Sequence, residues 1–239
     1  MNHPPRAKLT GGVWLPEMEE HFVDWMHNSK RARTVEGKLT YQYHKLEAAM
    51  RHQPKQRRRV CLDIGAHVGL WAMWLQRYFE HVHAFEPVPL FADIFPYNVT
   101  VENCTLHRAA LGNAEGEVEV TVPNGQTGGA HVSLDGDHPG NKYATEGKEV
   151  FCGLPMRTLD SFDLGNVDFI KIDVEGYELQ VIRGGEATIR RWRPHFVIEQ
   201  KGNDTAYGHP KDAAADLLKS WGWRDILVLA GDHIMRPPE

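Results

Sequence analysis

Apolar residues recur at three-and-four spacing near the start of the chain. Leu15, Met18, Phe22, Trp25 and Met26 form one such stripe, and Pro16 suits a first helical turn, so a helix is predicted there. Tyr43, Leu46, Ala49 and Met50 form a second stripe and predict a helix from Thr40 to about His52. From Val60 the pattern becomes strand-then-helix alternation. Val60–Ile64 is an apolar strand running into a Gly65–Gly69 turn, and Leu70, Trp71, Trp74, Leu75 and Tyr78 mark a helix. His81–Phe85 reads as a strand, Pro87 to about Tyr97 as a helix, and Cys104–Leu111 as a third strand. Val167–Ile172 and Phe196–Ile198 are further strands, with helical pattern between them to Ile189. Pro210–Trp221 predicts a helix closed by Gly222, and Arg224–Leu229 with His233–Arg236 a hairpin. Such alternation implies a mostly parallel sheet with helices on both faces.

One stretch breaks the rhythm. Glu117–Val122 alternates strictly and predicts an antiparallel edge strand. Residues 124–150 then hold Gly125, Gly128, Gly129, Gly136, Gly140 and Gly147, the texture of a functional or poorly ordered loop. The chain divides into a helical preface, 1–55, and a main α/β domain, 56–239, carrying 124–150 as an insertion.

Composition narrows the classes. A chain of 239 residues can bury one sizeable core, and a formal net charge of -5 gives no global basic field for nucleic acid. Cys61, Cys104 and Cys152 are widely spaced, which reads as reduced thiols in a cytoplasmic protein. The start lacks the apolar core of a signal peptide, and no stretch approaches the ~18 apolar residues of a membrane span. The basic run Lys55, Arg57, Arg58 and Arg59 reads as a solvated linker, with an anion-facing patch as the alternative.

The turn after the first parallel strand carries the most chemistry. In a doubly wound sheet it lies at the carboxyl edge, where ligands bind. Gly65 allows a sharp bend and Gly69 a close helix–strand approach. The dinucleotide fingerprint would need a glycine at position 67, where this chain has His67, and Asp63 precedes the turn. A carboxylate repels a pyrophosphate but attracts an ammonium, which favours S-adenosyl-L-methionine over NAD. Glu86, at the end of the next strand, has the spacing of an acid that accepts ribose hydroxyls.

The ordered set LDIGAHVG (62–69), AFEP (84–87), RAALGN (108–113), TLDSF (158–162), VDFIKIDVEGYE (167–178), VIRGG (181–185) and FVIEQ (196–200) resembles the FkbM family of S-adenosylmethionine-dependent methyltransferases. The resemblance runs from about Val60 to Gly202. It implies a Rossmann-like class I methyltransferase fold: a seven-stranded, mostly parallel sheet with a C-terminal antiparallel hairpin. It also implies that Gly65, with Ala66 and His67, holds the methionine part of the cofactor, Glu86 and Pro87 the ribose, and Ala109 and Ala110 the adenine. His67 stands where the family more often has Asn; a helix-entry residue bonded to backbone is its plainer reading.

Strand period two puts Phe169, Lys171 and Asp173 on one face. A lysine inside a central strand needs a partner, and Asp173 and Asp63 are the candidates. Asp173, Glu175 and Glu199 fall at strand ends that converge on the transferable methyl, so with Lys171 they are the candidate catalytic residues. A carboxylate there accepts the proton of a substrate hydroxyl or orients the substrate; that reading is preferred to a divalent metal. His131, His138, His195 and His209 are scattered, and His131 in the glycine-rich loop is the strongest outsider.

The favoured function is therefore O-methylation of a hydroxyl on a sugar, glycan or secondary metabolite. A nucleic-acid 2'-O-methyltransferase is the alternative, with Lys45, Asp173 and Lys201 imitating its Lys-Asp-Lys set and Lys55–Arg59 as phosphate patch; it lacks an identifiable final acid. A non-catalytic module that keeps the cofactor pocket is a third reading, and the missing GxGxxG disfavours an NAD oxidoreductase.

Overall fold

The structure is a computed structural model in which residues 3–100, 102–133 and 147–239 are described. Gly11 and Gly12, both at positive φ, turn the chain between Ala7–Thr10 (β1) and Val13–Pro16 (β2), which pair antiparallel. The first helix, His21–Asn28 (α1), begins only after Glu19, whose Oε1 accepts the Phe22 N–H at 2.6 Å. The helix predicted around Pro16 therefore starts later, and Leu15 and Pro16 belong to a strand. A glycine pair at φ values that favour a hairpin overrides the start of the helical spacing that follows it. Thr34–Val35 (β3) and Lys38–Leu39 (β4) make a small hairpin, and Tyr43–His52 (α2) matches the second predicted helix from Tyr43 onward. The N-terminal segment is thus mixed rather than helical. Leu15, Phe22, Met26 and Leu46 share one core with Trp74 and Phe91 of the main sheet's flank.

The main body then runs Val60–Ile64 (β5), Ala72–Leu75 (α3), His81–Phe85 (β6), Pro89–Asn98 (α4), Cys104–His107 (β7), Ala110–Leu111 (β8), Gly116–Val122 (β9), His131–Val132 (β10) and Glu149–Arg157 (β11). It continues with Val167–Ile172 (β12), Glu178–Gly184 (α5), Glu186–Trp192 (α6), His195–Glu199 (β13), Ala213–Ser220 (α7), Arg224–Leu229 (β14) and Asp232–Arg236 (β15). Among the described residues, seven strands form one sheet in the order β14-β15-β13-β12-β5-β6-β7. Strands β7 to β13 in that order are parallel, and β15 is antiparallel to both its neighbours. This is the seven-stranded, mostly parallel sheet that the resemblance implies, with the C-terminal hairpin in place. All six residues of β12 are buried, as expected for a central parallel strand covered on both faces.

Two expectations change. The predicted strand Cys104–Leu111 breaks at Arg108–Ala109: β7 stays in the main sheet, while β8 pairs with β11 in a second sheet of order β10-β9-β11-β8. β9 is antiparallel as predicted but lies between β10 and β11, because the glycine-rich segment supplies β10 on one side and leads into β11 on the other. Residues 134–146 of that segment, His138 among them, lie outside the described residues. No helix among the described residues is long and apolar enough to cross a membrane.

The basic run turns inward. Asp168, fully buried in β12, accepts the Arg59 backbone N–H at 3.0 Å, Arg59 Nε at 2.8 Å and Nη2 at 2.6 Å, and Arg57 Nε at 3.3 Å. Arg57 also reaches the Trp192 and Arg193 carbonyls, and Arg58 those of Met50 and Gln53. Burial alone would raise the Asp168 pKa; the Arg59 bonds reverse the sign and hold it below the usual carboxylate value. These arginines are neither a solvated linker nor a free phosphate patch: they clamp the entry of β5 to β12 and to the end of α6.

Asp168→Ala would leave that clamp without its acceptor. The half-exposed arginines can turn to water, so the cost should be about 2–3 kcal/mol, near the lower bound for breaking a buried pair. Urea unfolding of the variant beside the parent protein measures it.

Candidate active site

Lys171 and Asp63 sit side by side on β12 and β5 in register, and both are buried. Their ion pair is 3.1 Å long, and Lys171 Nζ also donates to the Gly65 carbonyl at 2.7 Å and the Ile64 carbonyl at 3.3 Å. Burial works to lower the Lys171 pKa, but Asp63, Asp173 and Glu199 together raise it, so the ammonium stays charged. Asp63 is thereby engaged by Lys171 and does not line the cavity beside the turn. The turn is close-fitting. Gly65 is at φ +74°, and any Cβ there would run into the Asp173 carbonyl oxygen. Gly69, at φ +90°, lies behind the cavity, where a Cβ would strike Val99.

An inner cavity opens at this edge. Gly65, Ala66, His67, Glu86, Pro87, Ala109 and Ala110 line it, together with Lys171, Asp173 and Glu175. Glu86 is buried and accepts the His67 N–H and the Val88 N–H, each at 2.8 Å. Burial, ahead of every other influence, pushes its pKa up to about 7. Trp71 Nε1 and His67 Nδ1 are buried atoms of lining residues without a hydrogen-bond partner among the described residues. Burial foremost lowers the His67 pKa to about 3, so its ring is neutral.

An outer chamber of about 380 Å³ adjoins it. Asp173 and Glu175 line both spaces, whereas Glu199 lines the outer one alone. Carboxylate oxygens of Asp173, Glu175 and Glu199 lie within 4.8 Å of one another. Burial and then Asp173 push the Glu199 pKa up to about 7; burial, Glu199 and Asp173 raise Glu175 well above its ordinary value. Lys201 already supplies a cation to this cluster through its ion pair with Glu199. Lys45 lines the same chamber, paired with buried Asp232 at 2.7 Å.

Of the histidines weighed in the sequence, His131 lines the inner cavity, while His195 and His209 line neither space. Tyr41, Trp71, Thr127 and Gln42 line the two spaces and had no motif to mark them. Backbone geometry marks one of these, Gln42, along with the sequence candidates His67 and Glu175: all three are non-glycine residues at φ between +52° and +54°. Such conformations gather at functional sites.

Fold and cavity together define a Rossmann-like methyltransferase architecture. Residues 63–224, more than half of the chain, match the methyltransferase FkbM domain family, and the protein belongs to that family. A protein of Beauveria bassiana (strain ARSEF 2860) described as methyltransferase 1 is 27% identical over 143 residues, which cover 52% of this chain and 57% of that protein. The solved structure of methyltransferase FkbM from Methylobacillus flagellatus KT aligns at TM-score 0.43 and 19% identity, over 69% of this chain and 36% of that one. That of precorrin-6y C5,15-methyltransferase from Geobacter metallireducens GS-15 aligns at TM-score 0.42 and 16% identity, over 87% and 91%. The match thus spans less than two thirds of the Beauveria bassiana relative and of the FkbM structure.

The turn bearing Asp173 and Glu175 is held from below by Glu178. Its Oε1 accepts the Val174 N–H at 3.0 Å and the Gly176 N–H at 3.1 Å, and burial, ahead of nearby Asp204, pushes its pKa up to about 8. A carboxyl raised on folding binds its proton more tightly when folded, so its contribution is fully present below the unfolded pKa and is lost as pH climbs to about 8. Glu178→Gln keeps the accepting oxygen and removes the titration. Its stability relative to the parent should rise by a few kcal/mol between about pH 4.5 and 8 and then level off, as read by unfolding curves across pH.

Proposed function

We propose that this protein is an S-adenosyl-L-methionine-dependent O-methyltransferase acting on a hydroxyl of a sugar, glycan or secondary metabolite. The observation that carries the reading is the pair of adjoining spaces that share Asp173 and Glu175. The inner cavity fits the cofactor. It offers a buried unpaired N–H from Trp71, a buried unpaired ring nitrogen from His67 and the Glu86 carboxyl. Lys171 is the one lysine or arginine among the described residues lining it, and Asp63 and two carbonyls already engage it, which leaves no free side-chain cation for a pyrophosphate.

When bound, the cofactor supplies a methyl group on a cationic sulfur. Glu86 would hold the ribose hydroxyls, Ala109 and Ala110 would flank the adenine, and Gly65 with Ala66 would let the backbone approach the methionine part. Asp173 orients the acceptor hydroxyl at the junction, which supplies much of the rate of an in-line displacement. The hydroxyl proton passes to the Asp173–Glu175–Glu199 cluster, where Glu199, near a pKa of about 7, is matched to that task at neutral pH. Lys171 is a positioning residue that fixes the Gly65 turn, and Lys201 steadies negative charge on the acceptor side.

The nucleic-acid alternative gains Lys45, Asp173 and Lys201 in one chamber. It loses its phosphate patch, because Arg57, Arg58 and Arg59 are bonded inward.

Thermal unfolding with S-adenosylhomocysteine, S-adenosylmethionine and NAD tests the cofactor. At a hundredfold excess over Kd the sulfur ligands should stabilise by about 2.7 kcal/mol, a rise of roughly 5–10 °C, with no shift from NAD. Because ionised Glu86 is the acceptor for ribose, affinity for S-adenosylhomocysteine should weaken below about pH 7 and plateau above it, and calorimetry on Glu86→Gln should show that dependence gone. Asp173→Asn should lower methyl transfer to a hydroxyl acceptor by at least a hundredfold while changing cofactor affinity little. An active variant would remove Asp173 from the chemistry.

A further inference from the structure

We propose that Glu19 and Thr127 fix the proton of His67 on Nε2, so that the bare Nδ1 accepts a hydrogen bond from the bound cofactor. The inference rests on the cofactor reading above and adds to it two residues from outside the motif block: one from the N-terminal segment, one from the glycine-rich insertion.

The order of donors follows from counting protons. Glu19 is fully buried between two elements. Its Oε1 accepts the Phe22 N–H at 2.6 Å, and its Oε2 accepts the Thr127 N–H at 2.6 Å and the Thr127 hydroxyl. A threonine hydroxyl has one proton to give. That proton goes to Glu19, so toward His67 Nε2, 3.0 Å away, Thr127 Oγ1 can only accept. Nε2 must therefore carry a hydrogen. In a neutral ring this leaves Nδ1 with a lone pair.

That lone pair is in an unusual place. Nδ1 is buried without a partner among the described residues, in a side chain that lines the inner cavity. The ring cannot easily turn to relieve it. Phe22 meets it edge-on at 5.3 Å, Phe91 packs at 3.9 Å, and the His67 backbone N–H is bonded to Glu86. A buried acceptor left unpaired is costly, so the site is completed by a ligand that brings an O–H or N–H donor. A ribose hydroxyl or an ammonium of the cofactor is such a group, and a phosphate is not.

The test pairs a spectroscopic reading with a binding one. Long-range proton–nitrogen NMR of the labelled protein, with His67 signals assigned by their loss in His67→Phe, should show the Nε2–H tautomer in the free protein. Thr127→Val keeps the shape but loses the acceptor, so that tautomer pattern should be lost. Calorimetric affinity for S-adenosylhomocysteine should fall about five- to tenfold, the worth of roughly one hydrogen bond. Thr127→Ser should restore both. An Nδ1–H tautomer in the parent protein, or parent affinity in a folded Thr127→Val, overturns the proposal. Failure of the parent protein itself to bind S-adenosylhomocysteine overturns the cofactor reading along with it, and that result is distinct from a silent Thr127 variant.

Discussion

The ion pair between Lys171 and Asp63 is the constraint on which the site depends. Two charges are buried on adjacent central strands, and each makes the other tolerable. The remaining ammonium protons go to the Ile64 and Gly65 carbonyls, which pins the first turn of the carboxyl edge to β12. Gly65 then packs against the Asp173 backbone with no room for a side chain. The Gly65 turn and the acidic cluster are therefore fixed to each other before any ligand enters, so the geometry of the site is a property of the sheet.

Around that frame the site is assembled from parts distant in sequence. The N-terminal segment contributes Phe22 and Tyr41 to both spaces, and the insertion contributes Gly128. They are held together by Glu19, whose two oxygens reach α1 and the 127–129 turn, and by the Gly125 carbonyl, which accepts the Glu20 and His21 N–H groups at 3.0 Å. The sheet supplies chemistry, and these two segments close the walls around it.

Much of this was legible in the residues. Strand β12 and the hairpin of β14 and β15 fall where hydrophobic pattern put them, because buried parallel strands and tight turns are local signals. Gly65, Glu86 and Asp173 were legible because strand ends in this fold point at one crevice, and the structure places them there. The hairpin of β1 and β2 was not, since Leu15 and Met18 fit a helical stripe as well as a strand followed by a turn. Arg57–Arg59 misled for a related reason: a charge run shows nothing of Asp168, which lies 109 residues beyond Arg59 and inside an apolar strand. Thr127 and Glu19 carry no motif at all, and only the fold brings them to His67.

The buried acids also alter what the folded molecule presents to its surroundings. Composition gives a formal charge of -5 by counting every carboxylate as ionised. Glu86 and Glu199, near a pKa of about 7, and Glu178, near 8, are largely or partly neutral at pH 7 once folded. At these three carboxyls folding at pH 7 therefore takes up about two protons that the unfolded chain would have released. Those protons are drawn from solution as the chain folds, so at these three sites folding and proton uptake are one event.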